Sequence, residues 1–400
     1  MYTLSLFFKW IKRFFIKLFS TWLVFVISGR VFQERMKLMK RYLILEDGTV
    51  YTGEAFGSTT FSPGEVVFTT GMVGYQEAIT DQSFANQILV FTNPLIGNYG
   101  INSEDNETLH PQIKGVICHQ IARVPSNWKM TESLPAFLEK NNIPGLSGID
   151  TRELVRKLRQ YGTLRGIMTD TLANTEKTVA LLQNSTPTKG IISKVSTKEA
   201  YANPGLKRNI IVIDFGMKNS ILRELNKRNC NVTVLPYNAT ASEVMNLNPD
   251  GVLLSNGPGD PTEMEAAAEM VAEIEQHIPI FGICMGHQIF ALANGAQTYK
   301  MKFGHRGFNH PVRDLHTGKI AFTSQNHGYA VDPASIANTD LKITHTEIND
   351  GTVEGLEHIK YPAFSVQFHP DAAPGPHDAD ALFDKFMKLI DSHKEVPAYA

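Results

Sequence analysis

The chain has 400 residues, 42% of them apolar, with 38 Lys and Arg against 40 Asp and Glu and a formal net charge of −2. That length accommodates two or three packed domains, and the balanced charge speaks against a nucleic-acid partner, which a basic surface would announce. Three scattered cysteines, Cys118, Cys230 and Cys284, form no disulfide framework and fit a reducing, cytoplasmic setting.

Residues 1–38 carry seven basic side chains against one acid, Glu34. The apolar run at 18–27 is too short and interrupted to span a bilayer, and no small-residue cleavage site follows it. A basic amphipathic surface helix is one reading. The simpler one is that translation starts at Met36 or Met39, and no membrane partner is expected. From Lys40 the pattern becomes domain-like. Residues 42–45 and 50–51 flank Asp47-Gly48 and read as a hairpin. Residues 66–69 and 88–91 read as further strands. Asp150 and Glu153 have the spacing of a capping box before a helix that buries Leu154, Val155 and Leu158 and stops at Gly162. Together these elements predict an α+β unit over 39–192.

Residues 193–208 are polar, include Asn203-Pro204-Gly205, and read as an interdomain linker. Beyond them strands and helices alternate: apolar strands at 209–214, 232–235, 252–254 and 280–283, with helices between, one of them at 263–276. That alternation predicts a parallel sheet with helices on both faces, whose ligands bind at the carboxyl ends of the strands. The segment 296–368 is richer in strands, and a helix at 382–390 closes the unit. A tail at 394–400 follows.

The chemistry concentrates at Gly282-Ile283-Cys284-Met285-Gly286, where an apolar strand runs directly into a helix. This is the thiol counterpart of a nucleophile elbow: the reactive residue occupies a strained turn, so residues two away on either side must be small. The helix N-terminus beneath favours thiolate over thiol. Free cysteines are often simply buried, so the motif needs partners. His369 and Asp371, two apart in the extended segment after 364–368, supply a base and a carboxylate to orient it. Ser255-Asn256-Gly257-Pro258-Gly259 closes the strand expected beside the elbow, and its N–H groups can face an oxyanion. The histidines show no zinc-type spacing, so no metal site is expected. His287, one turn into the helix after Cys284, reads as packing. No phosphate-binding Gly-Lys-Ser/Thr loop occurs, so nucleotide chemistry is assigned to another chain.

Phe281-Gly-Ile-Cys-Met-Gly-His-Gln288 followed by Gln367-Phe-His-Pro-Asp371 resembles the class I, triad-type glutamine amidotransferases, with a flavodoxin-like fold of mixed sheet at 209–393. The segments beginning at Gly64, Gly71, Pro94 and Gly148 resemble the small subunit of carbamoyl-phosphate synthase. So do those beginning at Lys300, Ser324 and Pro374, and the likeness covers roughly 41–392. It implies that glutamine is hydrolysed through a Cys thioester and that ammonia is channelled to a large subunit. That partner makes carbamoyl phosphate from bicarbonate and two ATP, with Mg, for arginine and pyrimidine synthesis. No cofactor would reside on this chain, and the pair would form a heterodimer that can assemble further.

Residue by residue, the resemblance makes Cys284 the nucleophile, His369 the base and acid, and Asp371 its orienter. The N–H groups of Met285 and Gly257 would form the oxyanion hole, and Ser83, Gly259, Gln288, Asn326, Gly328 and Tyr329 would meet the amino-acid end of glutamine. Three positions depart from the family. Asp371 stands where Glu is usual and is about 1.5 Å shorter in reach, which raises the alternative of a glutaminase-impaired structural partner. Gln82 replaces a Pro and is expected to loosen the Ser83 loop. Met285 replaces a Leu at little expected cost, because its backbone does the work. An amidotransferase feeding another synthetase, such as the anthranilate type, is disfavoured by the N-terminal half.

Overall fold

The computed structural model describes residues 39–60, 62–185 and 189–395. The expectation about residues 1–38 lies outside them. Seven strands close into a barrel in the order Lys40–Leu45, Val50–Gly57, Pro144–Ser147, Gly115–Ile117, Gln87–Phe91, Ser62–Thr69 and Leu164–Thr169, the last returning to the first. The expected hairpin is its opening pair, with Lys40 opposite Glu54 and Ile44 opposite Val50. Because side chains alternate along a strand, the barrel wall feeds two apolar clusters. Leu43, Leu45, Val66, Phe68, Ile88 and Val90 pack with the helix residues Leu154 and Leu158. Phe56, Val67, Leu89, Phe91 and Val116 pack instead with Leu134, Phe137 and Ile79. Asp150 does cap the helix Thr151–Tyr161 by accepting from the Glu153 N–H at 2.9 Å. The reciprocal half of the expected capping box is not made, so this end has a simple N-cap.

The second unit is a ten-stranded mixed sheet. Its centre is five parallel strands ordered Asn231–Pro236, Asn209–Asp214, Gly251–Leu254, Ile280–Ile283 and Ala363–Val366. Alternation again sorts the core. Ile211, Ile213, Val252, Leu254 and Ile280 face the cluster holding the helices Glu265–Ile274 and Met285–Ala293. Ile210, Val212, Leu253, Phe281 and Ile283 face the helices Asn219–Lys227 and Ala381–Glu395. Both faces are therefore dry, which is why these strands read as continuous apolar runs. Beyond Ala363–Val366 the sheet turns antiparallel through Val353–His358, Leu341–Glu347, Thr298–Asp314 and Ile320–Val331.

The stretch 193–208, read as a linker from its polarity, has structure of its own. Tyr201–Asn203 pairs antiparallel with Asn231–Pro236 and becomes the outer edge of the sheet. Its residues are largely exposed, so an edge strand here leaves no apolar signature to read. The long strand Thr298–Asp314 ties the two units together. Lys300 reaches Glu65 on the barrel at 2.8 Å, and the Phe303 ring lies 6.0 Å from that of Phe68.

Candidate active site

Cys284 sits between the strand Ile280–Ile283 and the helix Met285–Ala293, with φ 54° and ψ −101°. A non-glycine residue held at positive φ stores strain of about 1–3 kcal/mol, tolerated where the surroundings over-determine it. Here they do. The Cys284 N–H donates to Val366 O at 2.9 Å and the Gly286 N–H to Ser255 O at 3.0 Å. A Cβ on Gly286 would lie 2.3 Å from Leu254 O, and one on Gly282 would lie 2.7 Å from Gly286 O. The turn can only be this tight because both flanking residues lack a side chain. The Met285 N–H lies in the first turn of the helix, where backbone donors have no intrahelical acceptor.

A cavity of about 1010 Å³ opens in front of the thiol. Its wall includes Cys284, Met285, Gln288, Gly257, Gly259, Ser83, Asn326, Gly328 and Tyr329, so every residue expected to meet glutamine borders one space. The barrel unit supplies Ser83, whose hydroxyl accepts from the Asn256 amide at 2.9 Å. Asp81 accepts from the Asn326 amide at 2.9 Å across the same seam. Gln82 does not loosen this loop. It is buried, and its amide donates to Thr108 Oγ1 and His110 O, both at 3.2 Å. A glutamine amide there supplies a tether that a proline could not. Gln288 uses its amide NH2 internally, donating to Tyr329 O at 2.9 Å and Gln367 Oε1 at 3.0 Å. Gln367 in turn points its amide at Cys284 Sγ, 3.6 Å away.

His369 and Asp371 lie behind the thiol, both almost wholly buried. His369 Nδ1 is 3.5 Å from Asp371 Oδ1, longer than a good hydrogen bond, and neither ring nitrogen has a hydrogen-bond partner. A gap therefore separates the ring from the carboxylate. Catalytic hydrogen bonds are often long before substrate binds. Asp371 Oδ2 is held firmly: Lys218 Nζ donates to it at 2.5 Å and Ser220 Oγ at 2.6 Å. Burial pushes the Asp371 carboxyl up, but the Lys218 ammonium and His369 outweigh it and hold it below the carboxylate range. Burial and Lys218 depress His369, yet Asp371 and Cys284 prevail and raise it to about 10. The arrangement favours an imidazolium beside the Asp371 carboxylate.

Sequence reasoning missed Lys218, Ser220, Asp81 and Gln367. Lys218 had a signal. It follows the buried strand Asn209–Asp214 by four residues, at the carboxyl end where such sheets bind ligands. His287 is packed as expected: buried, paired through Nδ1 with Ser365 Oγ at 2.9 Å, and driven by burial down to about 3. A histidine cluster that spacing did not reveal is assembled across three strands. His305, His327 and Glu354 bring ligand atoms within 4.8 Å of one another. All four ring nitrogens are already partnered, with Gln325 Oε1, Asp350 and Tyr329 O.

Elbow, buried histidine and carboxylate, and a glycine-rich loop at the carboxyl edge of a parallel sheet define a triad-type amidotransferase domain. The model for class I glutamine amidotransferases matches residues 211–389, and that for the carbamoyl-phosphate synthase small chain, CPSase domain, matches 43–168. The carbamoyl phosphate synthase pyrimidine-specific small chain of Lactiplantibacillus plantarum is 60% identical over 352 residues, 88% of this chain and 96% of that protein. The small chains of Streptococcus mutans and Lactococcus lactis subsp. cremoris are 58% and 55% identical, each over 358 residues. These alignments cover 88% and 90% of this chain, and 97% and 100% of the relatives. The chain belongs to the carbamoyl-phosphate synthase small-chain family, the glutamine-hydrolysing arm of that enzyme.

Proposed function

We propose that Cys284 attacks the side-chain amide of L-glutamine and that His369, oriented by Asp371, handles the protons. The single observation that carries this is the strained Cys284 elbow opening on a cavity bordered by all eight residues expected at the substrate. The thiolate adds to the amide carbon. The resulting oxyanion meets the N–H groups of Met285 and Gly257. The carbon–nitrogen bond breaks as the His369 imidazolium protonates the leaving nitrogen, releasing ammonia. His369 then takes a proton from water, which attacks the thioester to give glutamate and the free thiolate.

Ammonia passes to a large subunit in a heterodimer, where bicarbonate and two ATP, with Mg, complete carbamoyl phosphate. This chain contributes no cofactor. The pyrimidine-specific name of the L. plantarum relative supports pyrimidine supply as the pathway served, in the cytoplasm. The 3.5 Å gap between His369 and Asp371 favours a second reading, a small chain with impaired glutaminase. Cys284→Ser in the assembled complex separates them. Glutamine-dependent synthesis should disappear while ammonia-dependent synthesis survives. Equal rates for Cys284→Ser and wild type with glutamine would refute the nucleophile and support the impaired reading.

A further inference from the structure

The helix Asn219–Lys227 has no side-chain cap from its own N-cap residue, Lys218. Its cap comes from the other unit. Glu107, in the irregular segment before the barrel strand Gly115–Ile117, accepts from the Ser220 N–H at 2.9 Å on Oε2, and the same oxygen lies 2.8 Å from the Ser220 hydroxyl. Its backbone carbonyl accepts from the Asn219 N–H at 3.1 Å. Its Oε1 takes Arg223 one turn further along, at 2.5 Å. Glu107 is itself fixed, since its N–H donates to Thr80 Oγ1 at 2.9 Å and it is 1% exposed. A carboxylate at a helix N-terminus is favourably placed against the helix dipole. This one does more than cap.

The same Ser220 hydroxyl touches Asp371 Oδ2 at 2.6 Å. A hydroxyl carries one proton, so two carboxylates from different units meet at a single shared donor. The other oxygen of Asp371 is the one that faces His369 at 3.5 Å. Where Oδ2 is pinned therefore decides where Oδ1 points. We propose that Ser220 and Glu107 are positioning residues for the glutaminase reaction: Glu107 of the barrel unit anchors Ser220 through its backbone N–H, which leaves the single hydroxyl proton to be donated to Asp371, and so sets the carboxylate that orients His369. The inference rests on the triad reading above. It adds that the barrel unit reaches the base as well as the substrate pocket.

The test is a double-mutant cycle on the assembled complex. Turnover and KM for glutamine are measured for Ser220→Ala, Glu107→Gln, Asp371→Ala, and each of the first two combined with Asp371→Ala. A hydrogen bond to a buried charged group predicts about a tenfold fall in kcat for Ser220→Ala, a smaller fall for Glu107→Gln, and KM within about twofold in both. If these residues act only through Asp371, neither should lower kcat further once Asp371 is alanine. Ammonia-dependent synthesis should be unchanged throughout. Wild-type turnover in Ser220→Ala would overturn the inference. So would an equal further loss in the Asp371→Ala background, which would mark a general structural role. If Asp371→Ala itself matched wild type, the triad reading would be the one at fault.

Discussion

The two halves of the reaction centre are built in opposite ways. The nucleophile side is local: strand, Cys284, helix and two flanking glycines all lie between Ile280 and Ala293, and the strained turn is held by backbone hydrogen bonds to neighbouring strands. The base side is assembled from distance. Asp371 is held by Lys218, 153 residues away in sequence, and Ser220, 151 away, and Ser220 is in turn held by Glu107, a further 113 away. A local device is set by sterics and changes little when the rest of the protein moves. A long-range ionic device depends on every partner being in place, because each buried charge must be matched by another.

Breaking one partner of the buried pair should therefore have the largest effect. Lys218→Met removes the cation 2.5 Å from Asp371 and leaves that carboxylate, at 0% side-chain exposure, with only the more distant His369 as a cationic neighbour. It is expected to cost about 3–5 kcal/mol of stability, with turnover falling sharply. Denaturant unfolding and glutaminase kinetics would show both losses. A stable, active Lys218→Met variant would mean that the base side does not depend on the pair.

Attacking the local side should cost less stability while abolishing activity. Gly286→Ala drives a Cβ to 2.3 Å from Leu254 O, an overpacking of about 1–3 kcal/mol, and tips Cys284 out of line. Unfolding midpoints paired with turnover check this, and wild-type turnover would show that the elbow tolerates a side chain there.

A third variant sharpens the comparison through pH. Burial raises the Glu354 carboxyl from 4.5 to about 7. Below pH 4.5 folded and unfolded chains both hold the proton. Between 4.5 and 7 the unfolded chain releases it first, so stability drains away as pH rises, by about 1.4 kcal/mol per unit at most, and stays lost above 7. His305 lies above its ordinary value: burial lowers it, but Glu354 and Asp350 raise it further. It contributes stability below pH 6.5 that is lost at higher pH. Glu354→Gln removes the first cost and weakens the second gain. Relative to wild type, the variant should gain in melting temperature at pH 8 and lose that advantage near pH 5. A pH-independent difference would refute the assignment.

The smallest effect is expected from deleting residues 1–38. Every residue named in the nucleophile and base networks is at position 80 or beyond, so turnover of the assembled complex should change by less than about twofold. A larger loss would bring the extension into one side of the comparison.

Much of the second unit was legible in the chain because its strands are buried on both faces and announce themselves as apolar runs. The elbow was legible for a different reason: glycines at both ends of a five-residue turn are a steric requirement that leaves few substitutes. Cys284, His369 and Asp371 could thus be read together, and the structure places them adjacent. The edge strand Tyr201–Asn203 was not legible, since an exposed strand needs no apolar residues. Nor could the tethering of Gln82 be read, because its partners Thr108 and His110 come from a separate loop. Local sterics and periodicity are properties of neighbouring residues, so the sequence by itself determined the nucleophile turn, the parallel core and the family. The distance from His369 to Asp371, and the charges that hold that carboxylate, follow from contacts between residues more than a hundred positions apart. Only tertiary packing could decide them: the start of the helix Asn219–Lys227 brings Lys218 and Ser220 against Asp371 within the sheet unit, and the barrel adds Glu107 behind Ser220.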